Sequence, residues 1–354
     1  MKSWSWVLII VLTILIKWAS WYPSWVETNY SLKIYPVISR IQRLLFGWLP
    51  ISIGDLFYAF LIFIVVIKTF RLIKAIVRKK TNRAYWVAGL QQFIFFILFL
   101  YVSFNLLWGL NYNRLGIAHQ LKLDVKAYSN ADLDTLASVI QNRVNYYAAF
   151  VQEAQRDSFD RKRTLFVSAD EAYELASKKF PFLKYNPRSV KPSIYSYLGN
   201  YLGFQGYYNP FSGEAQVNTT IPRFLEPFVT THEIAHQLGY AKENEANFVG
   251  YLACSKSSNL YFQYSVYLDL YKYAAMELLM MNIEEKNGWQ LDSLVRKDLR
   301  DIRNFFNKQN NDISPVMSQI YGQYLKANQQ DRGLESYNDV VGLLIAYKKK
   351  FGKI

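Results

Sequence analysis

The chain has 354 residues, a length typical of about two domains, and a formal net charge of +14. Hydrophobic residues make up 51% of it and aromatic residues 17%, which is high for a soluble protein and indicates membrane segments. The single cysteine, Cys254, excludes an internal disulfide.

Three apolar segments predict transmembrane helices at about residues 4–21, 51–70 and 89–110. The first follows Met1-Lys2 and stops at Lys17, so it is also short enough to be the core of a signal peptide. No small-residue cleavage site follows it, which favours a retained anchor. Its tryptophans are typical of residues at a membrane interface.

A fourth segment, at about residues 30–48, predicts an amphipathic helix that lies on the membrane surface. Its apolar positions recur at helical spacing, opposite Lys33, Arg40 and Arg43. A helix that caps a soluble domain would show the same periodicity, but the spans on either side favour the membrane surface.

The segment between the second and third spans is strongly basic. Residues 68–83 contain seven lysines and arginines and no acidic residue. Because positively charged loops stay in the cytoplasm, the third span should run outward and everything after Asn111 should be extracytoplasmic. These charges are therefore a signal of topology and give no reason to expect nucleic-acid binding.

From residue 113 the composition becomes that of a globular domain. We predict a membrane domain over residues 1–112 and a mainly helical, α+β extracytoplasmic domain over residues 113–354. Within it one segment alternates in polarity as a strand should: Gly213, Glu214, Ala215, Gln216, Val217 and Asn218.

The segment from Thr231 to Gly239 carries the clearest functional signal. Two of the three histidines of the chain, His232 and His236, are four residues apart, and Glu233 follows the first. On a helix both imidazoles project from one face and can reach a single ion. This is the HExxH arrangement of zinc peptidases, in which the glutamate is the general base. Paired histidines on a half-apolar helix can also be ordinary core residues.

A catalytic zinc ion needs a third protein ligand. On an unbroken helix Glu243 would sit about 10 Å along the axis from His236, too far for one ion. Gly239 permits the helix to end, so a second helix can return Glu243 or Glu245 to the ion. We favour Glu243 because it shares a helical face with Asn247, whose side chain can accept the free N–H of a ligating imidazole. Glu245 stays open as the alternative.

Several short motifs, spread over nearly the whole chain, carry a family resemblance. They are Trp108-Gly109-Leu110-Asn111-Tyr112, Tyr208-Asn209-Pro210-Phe211 with Gly213-Glu214-Ala215, and the HExxH segment continued to Glu243-x-x-Ala246-Asn247. Together they resemble a bacterial family of membrane proteins, domain of unknown function 3810. The last segment resembles the second helix of gluzincin peptidases, most of which place more residues before the glutamate. The resemblance implies a membrane anchor and a zincin-like domain without an established substrate. Together with the basic loop, it predicts a bacterial cytoplasmic-membrane protein whose domain faces the periplasm.

These residues predict a membrane-anchored zinc metallopeptidase. One zinc ion held by His232, His236 and Glu243 would polarise the scissile carbonyl and acidify water, with Glu233 as the general base. The strand from Gly213 to Asn218 would be an edge strand that lines the cleft and pairs with an extended peptide, although a plain hairpin fits the sequence equally well. Two tyrosines are candidate donors to the oxyanion, namely Tyr321 and Tyr337.

Two alternatives lack catalysis. In the first, the metal fastens a sensing or envelope-assembly domain, which would favour four protein ligands, namely His232, His236, Glu243 and Glu245. In the second, a degenerate zincin-like domain binds no metal. The expected partners are the lipid bilayer and a peptide or protein substrate.

The basic segment generates a prediction about topology. A reporter enzyme that is active only outside the cytoplasm should be active when fused after Ile354 and inactive when fused near Lys79. Reporter activity in intact cells measures both fusions. The reverse pattern would contradict the orientation and the compartment assigned to the domain.

Overall fold

A computed structural model describes residues 3–151, 162–283 and 290–354, and 73% of these residues are helical. Three helices are long and apolar enough to cross a membrane: Ser3–Ser20 (α1), Ile53–Val77 (α3) and Arg83–Leu107 (α4). The three predicted apolar helices are therefore confirmed. The second extends further toward the basic turn than predicted, and the third begins and ends earlier in the chain.

The first and third spans pack together, whereas the second stands apart. Trp6 of α1 lies edge-on against Phe95 of α4, with ring centroids 5.3 Å apart. The apolar stretch of α3 is exposed, and its first turn attaches it to the rest of the protein. There the carboxylate of Glu214 accepts a hydrogen bond from the backbone N–H of Gly54 at 2.6 Å. The domain thus lies at the end of α3 opposite the basic turn.

The segment predicted to be interfacial is helical, with π-helical geometry over Val26–Ile34 and α-helical geometry over Tyr35–Phe46 (α2). One face of α2 is apolar and exposed, as an interfacial helix requires. The exposed apolar side chains of this face are Val37, Ile41, Leu44 and Leu45.

The opposite face of α2 differs from the prediction, because it packs against the domain. Arg43 was expected on a hydrated polar face, but it is buried beside the ring of Tyr185. The hydroxyls of Tyr35 and Ser39 both donate to the backbone carbonyl of Gln237, at 2.8 and 3.0 Å. The side chains on this face of α2 are therefore polar because they hydrogen-bond to backbone carbonyl groups of the domain.

A buried ion pair strengthens this junction. Arg114, which follows the third span, lies 2.8 Å from Glu27 of the π-helical segment, and both side chains are 2% exposed. The same guanidinium donates to the backbone carbonyl of Gly239 at 3.0 Å. The membrane-proximal segments and the HExxH segment are thus linked through one side chain.

The domain is built around one buried helix. Its helices are Asn130–Ala148 (α5), Lys162–Ser177 (α6), Ser196–Leu202 (α7), Glu226–Gln237 (α8), Glu243–Cys254 (α9), Leu260–Met280 (α10), Ser293–Gln309 (α11), Ile313–Ala327 (α12) and Val340–Phe351 (α13). Shorter helical turns occur at Pro23–Trp25, Gly109–Asn113, Gly116–Gln120, Pro181–Leu183, Arg223–Leu225 and Gly333–Asp339. Every residue of α8 except Val229 is buried, and α6, α9 and α10 pack around it.

A small sheet covers another side of α8. Its strands are Val190–Pro192 (β1), Gly206–Asn209 (β2) and Glu214–Val217 (β3), in the order β1-β3-β2. β1 pairs parallel to β3, and β2 pairs antiparallel to it.

The sheet corrects one prediction. The segment from Gly213 to Asn218 does contain a strand, but as β3 it is central and not an edge strand. Both of its backbone edges are occupied, so it cannot pair with a substrate. Alternating polarity indicates a strand but does not show which strands lie beside it. The polar residue Glu214 does not face solvent, because its carboxylate forms a buried ion pair with Lys191 at 2.8 Å.

Candidate metal centre

A tight turn joins the two helices that carry the predicted ligands. α8 ends at Gln237, and Gly239 adopts a φ of +87°, in the left-handed region that glycine enters without steric cost. A Cβ at Gly239 would lie 2.8 Å from the ring of Tyr35. α9 then runs back along α8. At Gly250 a Cβ would lie 3.2 Å from the backbone nitrogen of His232, so this glycine allows the two helices to pack closely.

The turn brings Glu243 to the two histidines. Its Oε2 lies 3.2 Å from Nε2 of His232 and 3.5 Å from Nε2 of His236. One ligand atom from each of these three buried residues lies within 4.8 Å of the other two. Glu245 points elsewhere, because its Oε1 accepts a hydrogen bond from the backbone N–H of Ile117 at 3.3 Å.

Both imidazoles are oriented through Nδ1. The Nδ1 of His236 is 2.8 Å from the backbone carbonyl oxygen of Tyr240, which can only accept, so this nitrogen carries the proton. The Nδ1 of His232 is 2.8 Å from Oδ1 of Asn247, at the position expected from the spacing of Asn247 and Glu243. Both Nε2 atoms are therefore directed at the Glu243 carboxylate, as in metal sites that use imidazole Nε2.

The electrostatics of the cluster favour a cation. Burial raises the pKa of Glu243, but the charges and hydrogen bonds of the two histidines outweigh burial and hold it far below its usual range. Burial lowers the pKa of His232, yet its hydrogen bond to Glu243 and the nearby carboxylates raise it to about 9. Oε2 of Glu243 is buried, and the groups that it faces are the Nε2 atoms of the two histidines. Two imidazoles and a carboxylate fit zinc.

Glu233 lies beside the cluster and is not part of it. Its carboxylate packs against Gly206 of β2, where a Cβ would lie 2.5 Å from Oε1. Burial raises the pKa of Glu233 to about 7, although His232 and His236 act in the opposite direction. Its Oε2 is buried without a hydrogen-bond partner in the part of the chain that the structure describes. One oxygen of the carboxyl group therefore makes no hydrogen bond within the described residues, and the pKa of the group is suited to proton transfer.

The two candidate tyrosines also lie at this site. The hydroxyl of Tyr321 on α12 donates to Oε1 of Glu243 at 2.6 Å. The hydroxyl of Tyr337 is 3.4 Å from that of Tyr321, and its ring is nearly parallel to the ring of His232, with centroids 6.5 Å apart. Two hydroxyl groups thus face the same side of the cluster.

Three contributors were not predicted from the sequence as parts of the site. Trp108 donates from Nε1 to the carbonyl of His236 at 3.0 Å and lies edge-on to its ring. In the sequence, Trp108 reads as an aromatic residue at a membrane interface. Gly250 could have been found, because an isolated glycine on the face of α9 that carries Glu243 indicates close packing. No local pattern marks Gly206 as the neighbour of Glu233.

The fold and the site define a mainly helical protein with three candidate membrane spans and a buried cluster of two histidines and one glutamate. The chain belongs to the family described as a protein of unknown function (DUF3810), whose model matches residues 30–345. The family inferred from the short motifs is thereby confirmed, whereas zincin character stays a prediction. No curated protein and no solved structure matches the chain.

The geometry generates a prediction about the third ligand. Glu243→Gln should abolish stoichiometric zinc binding at neutral pH, because it removes the carboxylate charge from the cluster. Glu245→Gln is the matched control and should retain zinc, since its carboxylate contacts Ile117. Metal analysis of the purified variants, with melting curves to verify folding, measures the difference. Zinc retained by the first variant and lost from the second would show that Glu245 is the ligand.

Proposed function

We propose that this protein is a membrane-anchored zinc metallopeptidase. One observation carries the proposal: three buried ligand groups converge, and Glu233 lies beside them with an Oε2 that has no hydrogen-bond partner among the described residues. Among the described residues the cluster has three ligands, because Glu245 is directed at Ile117. Structural zinc sites are usually closed by four protein ligands, whereas catalytic sites keep a position open. The arrangement therefore favours catalysis over a purely structural role for the metal.

The residues of the site take distinct roles in this proposal. His232, His236 and Glu243 would hold the ion, and zinc, when bound, supplies Lewis-acid chemistry that polarises a carbonyl and acidifies water. Glu233 takes a proton from the attacking water and returns it to the leaving amine. The hydroxyl of Tyr321 holds the carboxylate of Glu243. Tyr337, whose hydroxyl lies beside it, would donate a hydrogen bond to the carbonyl oxygen as that oxygen gains negative charge.

A metal-dependent sensor without catalysis is the second candidate. It is favoured by the contacts between the membrane-proximal segments and the end of α8, through Trp108 and Tyr35. In such a protein, metal binding would be transmitted to the spans and the carboxylate of Glu233 would have no chemical role. Comparing variants of Glu233 separates the two candidates.

Glu233→Gln should retain zinc and the fold but lose peptide-bond cleavage by at least about a hundredfold, because the general base is removed. Mass spectrometry of peptides released from envelope proteins or from a denatured protein pool provides the measurement. The exposed Glu171→Gln is the control and should cleave like the wild type. A zinc-loaded wild type without turnover, together with full rescue of a deletion strain by Glu233→Gln, would favour the sensor.

The site also lies next to the ends of the spans, which bears on the substrate. Trp108 immediately follows α4 and hydrogen-bonds to the backbone of His236. Beyond it, the hydroxyl of Tyr112 is 3.2 Å from that of Tyr324 on α12, the helix that carries Tyr321. Both contacts join the cluster and its tyrosines to residues next to a candidate span, which supports a site near the membrane surface. We therefore infer that the substrates are polypeptides held at that surface by a span or a lipid anchor.

A tethered substrate should be cleaved at least about tenfold faster than the same peptide free in solution, because tethering raises its effective concentration at the surface. The comparison uses one peptide sequence, with and without a membrane anchor, and wild-type protein in lipid nanodiscs. Glu233→Gln serves as the blank for both substrates. Equal rates for the two forms would contradict the inferred substrate class while leaving peptidase activity established.

A further inference from the structure

A cavity of about 200 Å³ lies between the interfacial helix α2 and the turn that follows α8. Three basic side chains line it, Arg43, Arg114 and Lys184, and no acidic side chain does. Ser39 of α2 and Gln237 at the end of α8 contribute polar groups to the same wall. The cavity is separate from the predicted metal ligands, none of which line it.

The charge of Arg43 is not compensated within the described residues. The side chain is 5% exposed, and its Nε and Nη1 are buried without a hydrogen-bond partner. Its guanidinium carbon lies 5.2 Å from the centroid of the Tyr185 ring, a cation–π contact that does not satisfy the N–H groups of Nε and Nη1. An arginine cannot discharge itself by losing its proton. A buried guanidinium without an ion-pair partner would be stabilised by an anion, and no described residue supplies one.

Arg114 lines the same cavity, but unlike Arg43 it has hydrogen-bond partners within the protein. It pairs with Glu27 at 2.8 and 3.0 Å and donates to the carbonyl of Gly239. Its charge is satisfied by the protein. The uncompensated charge of the cavity thus comes from Arg43, with Lys184 exposed at the rim.

We propose that Arg43 and Lys184 bind a phosphate group in this cavity. The planar fork of a guanidinium matches the oxygens of phosphate, and a nearby ammonium adds a point charge. The outer face of α2 exposes apolar side chains, as a helix on a membrane surface would, and phosphate is the anion concentrated at such a surface. The group is supplied either by a lipid headgroup or by free phosphate.

Occupancy of the cavity would connect the membrane surface to the metal cluster. Gln237 and Tyr240 both line the cavity, and the carbonyl of Tyr240 accepts the Nδ1 proton of His236. A bound phosphate would therefore hold α2 against the turn that orients one of the predicted ligands.

The test compares Arg43→Gln with Arg40→Gln, which makes the same change one turn away at an exposed position of α2. One arm uses full-length protein in nanodiscs of phosphatidylglycerol and phosphatidylcholine, with retained lipid counted by native mass spectrometry. The other arm titrates inorganic phosphate into protein in detergent. Wild type and Arg40→Gln should bind one phosphate-bearing molecule, and Arg43→Gln should bind it at least about tenfold more weakly.

The two arms identify the source of the phosphate. Lipid retention without a response to inorganic phosphate assigns a headgroup, and the reverse assigns free phosphate. Equal binding by wild type and Arg43→Gln, or no binding in either arm, overturns the proposal. If Arg43→Gln does not fold, Lys184→Gln provides the same comparison, with a roughly threefold loss expected because an exposed charge contributes less.

Discussion

The close packing of α9 on α8 is the constraint on which the candidate site depends. Glu243 follows His236 by only a few residues, so it can reach the same point only if the chain reverses at once. The left-handed backbone of Gly239 permits the reversal, and the missing side chain of Gly250 lets the two helices approach. A side chain at either position would push α9 outward and separate the carboxylate from the imidazoles.

The same reversal ends α8 and leaves its last backbone carbonyl groups without hydrogen-bond donors from the helix. Residues of the segments next to the candidate spans donate to these carbonyl groups. Helices end with carbonyl groups that have no partner within the helix. Here Trp108 donates to the carbonyl of His236, Tyr35 to that of Gln237, and Arg114 to that of Gly239. The donors come from the end of the third span and from the interfacial helix. The end of the helix that carries the histidines is therefore satisfied by residues next to the candidate spans, so the stability of the site depends on these contacts.

Local rules explain which features could be predicted from the sequence. Apolar length predicted the spans, and the spacing of His232 and His236 predicted a shared helical face. Gly239 indicated that the helix would end before Glu243. The position of Asn247, four residues after Glu243, indicated which glutamate would face the imidazoles. Contacts between residues that are distant in the sequence could not be predicted from such local patterns. The central position of β3, the burial of Arg43 and the contact of Gly206 with Glu233 all depend on segments distant in sequence.

The buried carboxylates near α8 are unusual for the core of a protein, because burying a charged group costs free energy. Glu233, Glu243 and Glu245 are all buried, and the Oε2 atoms of Glu233 and Glu245 have no hydrogen-bond partner among the described residues. Burial raises the pKa of Glu233 and of Glu245, so each can reduce the cost by taking up a proton. Glu243 cannot, because the neighbouring histidines keep its pKa low. Apolar side chains of similar volume would make such a core more stable. The charged carboxylate at its centre needs a positive charge beside it, which either a protonated imidazole or a metal ion bound by both Nε2 atoms supplies.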